Sequence, residues 1–154
     1  MAGSHFAIEL LDSLHNQYGD EPLGRFATAL KIDVEQDQAT LKEIIDRVGK
    51  SHLDLKEAAG WFAEKVSQLK LKRDDSGGGI GTFEALETLM LGIRGKFALW
   101  QVLPVVREVD ARIPDKNFET LKARAEEQYG RVEAQRLDLA RAIFRAPTNQ
   151  LSKR

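Results

Sequence analysis

Between Thr82 and Leu103 the chain reads TFEALETLMLGIRGKFALWQVL, and no other stretch limits the fold as much. Phe83, Leu86, Met90, Ile93, Phe97 and Trp100 recur every three or four residues, the period that lines one face of a helix. Leu89, Leu91 and Leu99 widen that face until much of the circumference is apolar. Such a helix has to touch several neighbours at once, so it is expected to be the central staff of a helical bundle. Thr82 is expected to cap its start. Pro104 is expected to kink or end it, because a proline there frees the carbonyl of Trp100 and disfavours helical geometry at Leu103.

Amphipathic patterns continue on both sides of this stretch. Residues 1–19 read as a short N-terminal helix with Phe6, Leu10, Leu11 and Leu14 on one face. Gly19-Asp20-Glu21-Pro22 breaks it, and Asp20 is the expected N-cap of the next helix. That second helix runs from about Glu21 to Val48, with Gly49 placed for a C-cap. A third helix is expected over Asp54–Leu71, with Leu55, Phe62, Val66 and Leu69 inward and Trp61 on a flank. Residues 72–81 form a Gly-rich link that could span ~30 Å, enough for either an up-down path or a crossover. Ile113-Pro114-Asp115 is read as a turn and a cap, followed by a last helix to about Phe144 and a frayed tail over 146–154. The expected fold is all-α: one domain over 1–154, a four-helix bundle, up-down or ferritin-like, with an additional short N-terminal helix.

Composition bounds the function. The chain has no cysteine, so a disulfide framework, a thiolate nucleophile and Cys-ligated metal are excluded. A formal net charge of −1 gives no general basic field for nucleic acid, although residues 112–154 are richer in Lys and Arg than residues 1–50. No run approaches the ~20 apolar residues that span a bilayer, and no secretory leader is visible. The expectation is a cytoplasmic protein that engages neither membrane nor nucleic acid.

The irregularities are charges in core slots. Asp37 falls at the centre of the stripe on the second helix, and Arg136 occupies a stripe position on the last. A lone buried charge is costly, whereas a paired, hydrogen-bonded one survives. Asp37 and Arg136 are therefore expected to meet in a polar layer that can also recruit Lys96, Glu87 or Gln128. Such a layer either fixes the packing register or receives a ligand, and Asp37, Lys96 and Arg136 are the interior candidates. Di-iron bundles use Glu-x-x-His, which does not occur here; the nearest patterns are Asp12…His15 and Glu84…Glu87. Gly77–Gly81 lacks the Gly-Lys-Ser/Thr ending of a phosphate loop and reads as a linker. No spacing suggests a nucleophile activated by a base. No metal, cofactor or catalytic residue is expected. Trp61 and the wide apolar surface of the central helix point to a non-enzymatic structural or interaction role, with a homo-oligomer as the expected state. The alternative is a ferritin-like protein binding a metal or small molecule inside the bundle.

The run Ala63-Glu64-Lys65…Leu69-Lys70-Leu71, with Leu86-Glu87-Thr88-Leu89 and Gly92-Ile93-Arg94-Gly95-Lys96-Phe97-Ala98-Leu99-Trp100, resembles a group of uncharacterised bacterial helical proteins over residues 20–145. That resemblance implies a bundle and no particular activity. In helix lengths the chain also resembles ferritin-like folds, from whose ligand pattern it departs.

Overall fold

The computed structural model of the protein describes residues 2–49 and 79–145. These residues form four helices: α1 (Ala2–Tyr18), α2 (Pro22–Val48), α3 (Ile80–Arg107) and α4 (Phe118–Ile143), with no strand among them. The fold is an all-α bundle. The expected Asp54–Leu71 helix with Trp61, most of the 72–81 link and the 146–154 tail lie outside the described residues.

The turn between α1 and α2 is tight because its glycines allow it. Gly19 has a φ of 52°, and Gly24 approaches so closely that a Cβ there would overlap the Gly19 carbonyl. The expected Asp20 cap is replaced by Glu21, which occupies the N-cap position without a side-chain hydrogen bond; Pro22 opens the helix. Gly49, with φ 79°, closes α2 and donates its N–H to the Ile45 carbonyl at 3.0 Å. At the start of α3 the cap is Gly79 at φ 82°, not Thr82. Thr82 is buried, and its hydroxyl bonds Tyr18 Oη at 2.7 Å, tying the end of α1 to the start of α3. On α4 the cap is Asn117, whose side chain accepts from Thr120 N at 3.0 Å; Asp115 instead pairs with Arg107 at 3.3 Å.

Pro104 does not end α3, which runs through it to Arg107. The proline removes one backbone bond close to the C-terminus, and fully buried Trp100 and Leu103 anchor the last turns from the core side. At 28 residues α3 is also long and apolar enough to cross a bilayer, which corrects the expectation that no such stretch exists. The core helix of a bundle has the same composition, and Leu86, Leu89, Ile93, Trp100 and Leu103 of α3 are buried inside this one.

Two antiparallel hairpins make up the described bundle: α1 packs along α2, and α3 along α4. Thr82 beside Tyr18 and Arg112 beside the Val48 carbonyl, at 3.0 Å, set α3 parallel to α2. Hence α2 stops and α3 starts at opposite ends. Arg112 also places a cation at the negative end of α2. The core between the hairpins is closed by Leu11, Leu14, Leu30, Ile44, Leu86, Trp100, Ile113 and Val132, each nearly free of solvent contact.

Candidate functional site

One polar layer interrupts this core midway along α2, α3 and α4. On α2, Asp33 and Asp37 are one turn apart and share a face. On α4, Arg124, Gln128 and Arg131 repeat at helical spacing and look back at them. From α3, Lys96 enters between the two. Asp37 retains only 4% of its exposure and Gln128 1%, so their polar atoms must be satisfied internally.

They are. Lys96 Nζ donates to Asp37 Oδ2 at 2.5 Å and to Gln128 Oε1, and Gln128 Nε2 donates to the same Asp37 oxygen at 3.0 Å. Arg124 Nη2 donates to Asp37 Oδ1. One turn away, Arg131 pairs with Asp33. The result is a closed triangle of Asp37, Lys96 and Gln128 flanked by two Arg–Asp pairs, one of which shares the Asp37 carboxylate. Two carboxylates face three cations, which leaves one surplus positive charge. Burial pushes the Lys96 amine down to about 8; the Asp33 charge works against that shift and Arg131 adds to it. The Nε atoms of Arg124 and Arg131 are buried without a hydrogen-bond partner.

The sequence placed Asp37 and Lys96 here, together with Gln128, but expected Arg136 opposite Asp37. No ion pair joins those two. Arg136 lies twelve residues beyond Arg124, about 18 Å along the helix at 1.5 Å per residue, and so reaches the start of α3 instead. There its guanidinium donates to Glu87 at 3.2 Å and sits 5.7 Å from the Phe83 ring centroid. Arg124, Arg131 and Asp33 were missed. Their signal is present in the sequence as an i, i+4 carboxylate pair on one helix matching an i, i+7 arginine pair on another.

The layer is a cluster of ion pairs in which the carboxylates, the Lys96 amine and the Gln128 amide bond within the layer, while two arginine Nε atoms stay without a partner. Among the described residues no group of three or more His, Asp or Glu is placed to hold a metal ion. Asp12 and His15, the nearest sequence approach to a ligand pair, serve the α1–α2 contact: Asp12 pairs with Lys31 at 2.7 Å and His15 Nδ1 lies 3.1 Å from Thr28 Oγ1. A shallow depression lined by Leu137, Ala140, Arg141, Phe144 and Arg145 lies at the far end of α4, well away from the layer.

The other unusual surface is the back of α3. Leu91 (64% exposed), Val102 (48%) and Val105 (60%) stand in solvent, as does Val109 just past the helix end. With Gly95 and Ala98 between them they step 4, 3, 4, 3, 4 along the chain. Trp100, at the centre of the buried face, points the opposite way. α3 is therefore apolar on both sides, with one side packed among the described helices and the other facing away from them.

No family model matches the chain, and neither a curated protein nor a solved structure matches it.

Proposed function

We propose that this protein is a non-enzymatic, cytoplasmic helical bundle that works through protein–protein contact, with the outer face of α3 as its contact surface. The observation that carries this reading is the exposed heptad stripe Leu91–Val109: large aliphatic side chains kept in water along one helical line. Contiguous exposed apolar surface of this kind marks an interaction site, and a 4–3 repeat is the pattern that receives another helix. The interior supports the same reading, because the polar layer is internally paired and acts as a register lock. Less supports the alternative of a ferritin-like bundle with a metal or small molecule inside, since Asp37 and Gln128 are already satisfied by neighbouring side chains.

The test separates a contact surface from a piece of the protein's own core. In the double variant Val102→Glu/Val105→Glu, unfolding measured by circular dichroism in urea, at a dilution where light scattering finds the parent as a single chain so that no association adds to its stability, should change by no more than about 0.5 kcal/mol per site, the usual effect of surface substitutions. A loss above about 2 kcal/mol would mean that the chain itself buries the stripe, and the reading would then fall.

A further inference from the structure

A seam of six positions in a 4–3 repeat maps onto itself under a twofold turn, and the residues that fill this one suit such a turn. Its six members, Leu91, Gly95, Ala98, Val102, Val105 and Val109, lie in pairs at equal distances on either side of position 100. Turned about a twofold axis through that point, the stripe falls on itself with Leu91 opposite Val109, Gly95 opposite Val105 and Ala98 opposite Val102. The two inner pairs each set a small residue against a valine, so knobs meet holes. We infer that α3 pairs with α3 of a second copy of this chain, antiparallel, about a twofold axis beside the Ala98–Val102 turn; this rests on the reading of the stripe as a contact surface.

Charge agrees with shape. Arg94 and Glu108 flank the stripe on the same side, in one heptad column with Gln101 between them. Antiparallel pairing sets each column against its own copy. Arg94 of one copy then faces Glu108 of the other at both ends of the contact, whereas a parallel in-register pair would set that column against the opposite flank, Gly92, Leu99 and Val106, where no carboxylate answers Arg94. Arg94 lies with its guanidinium 4.1 Å from the Tyr129 ring centroid, a stacking that holds it at the edge of the stripe and leaves its N–H edge for a carboxylate. Glu108 is exposed and makes no ion pair with any described residue. A twofold contact of this kind is self-complementary and closes at two copies.

Cysteine cross-linking tests both the pairing and its direction, because the chain has no cysteine of its own. Light scattering across a concentration series should give twice the 17.3 kDa chain mass at the upper end. Leu91→Cys and Val109→Cys should each stay uncross-linked alone, since identical sites lie about 27 Å apart along the antiparallel pair. Mixed and oxidised, they should form a covalent dimer on a non-reducing gel. Val102→Glu should return the mass to one chain with its helical signal unchanged. A monomer at every concentration, a Leu91→Cys dimer formed alone, or a mixture that fails to link would each overturn the inference. A monomeric wild type whose Val102→Glu/Val105→Glu variant is as stable as its parent would remove the self-pairing and leave the contact-surface reading standing with another partner.

Discussion

The two faces of α3 carry almost the same hydrophobicity and have opposite fates. Toward the bundle, Leu86, Ile93, Trp100 and Leu103 are packed away, and the one cation on that side, Lys96, is held by Asp37 and Gln128. Toward solvent, Leu91, Val102 and Val105 meet none of the neighbouring described helices closely enough to be covered. Burial on a helix is decided by which neighbours exist, and not by how apolar a residue is. The inner face has α4 and α1 against it. Specificity differs as well: the inner face is keyed by charges that fit in only one register, while the outer face is keyed by alternating small and large side chains.

The sharpest way to break this contrast is to remove the key. Asp37→Ala deletes the acceptor shared by Lys96, Arg124 and Gln128 and leaves two cations facing each other in a poorly solvated space. Breaking a buried pair from one side costs about 3–5 kcal/mol, a large share of a typical domain's stability. Urea unfolding of the variant should show that loss. A change below about 1 kcal/mol would mean the layer is wet and the lock is not one.

Lys96→Met should behave quite differently, although it removes another member of the same triangle. Asp37 keeps Arg124 and Gln128, the methionine fills the lysine stem's space, and the cost of holding a buried ammonium disappears. At pH 7 the variant should lie within about 1 kcal/mol of the parent. The pH dependence is the cleaner readout. The Lys96 pKa is lowered in the folded chain to about 8 from 10.5. Below pH 8 both states hold the proton and the full penalty of burying the charge is present. Between about 8 and 10.5 the folded protein has released a proton that the unfolded chain still binds, so this residue's contribution to stability rises with pH, by up to about 3 kcal/mol in all. The difference in unfolding free energy between parent and Lys96→Met should climb in the parent's favour across that window. A flat difference would place the amine in water.

How much of this was legible in the sequence follows from what periodicity can report. Helix positions and inward faces came from the repeat of Leu, Ile, Val and Phe, and the Asp37 slot stood out because a charge broke that repeat. What periodicity does not encode is axial level. Arg136 sits in a core slot as clearly as Asp37 does, but the offset of α4 against α3 sets it beside Glu87, and the partner of Asp37 proved to be Arg124, which lies in no core slot. The Gly49 C-cap is where the sequence puts it, but the N-caps were misjudged for a related reason. Thr82 has the chemistry of an N-cap, yet the hydroxyl of Tyr18 on another helix claims it, and backbone freedom at Gly79 does the capping instead. Of the two outcomes expected at Pro104, an end to the helix does not occur, because local propensity says nothing of the packing that Trp100 and Leu103 supply.

Arg136 supplies a smaller test of the same lesson. Its pair with Glu87 is one-quarter exposed on the arginine side and about half exposed on the other. A double-mutant cycle with Arg136→Ala and Glu87→Ala should therefore return a coupling of only about 0.2–1 kcal/mol, weakened by salt. A coupling several times larger would show that Arg136 belongs to the interior lock after all.

The smallest effect on folding should come from the outer face, and it should be visible in a different quantity. Leu91→Lys puts a charge where 64% of the leucine is already in water, so the intrinsic unfolding free energy should move by about 0.5 kcal/mol or less. Association, however, couples stability to protein concentration: whatever binds the folded chain raises its melting temperature by mass action. The parent's Tm should therefore rise with concentration and that of Leu91→Lys should not, with the two converging on dilution. A parent and variant that melt together at every concentration would place the outer face outside any self-contact and confine the consequences of α3's hydrophobicity to its inner side.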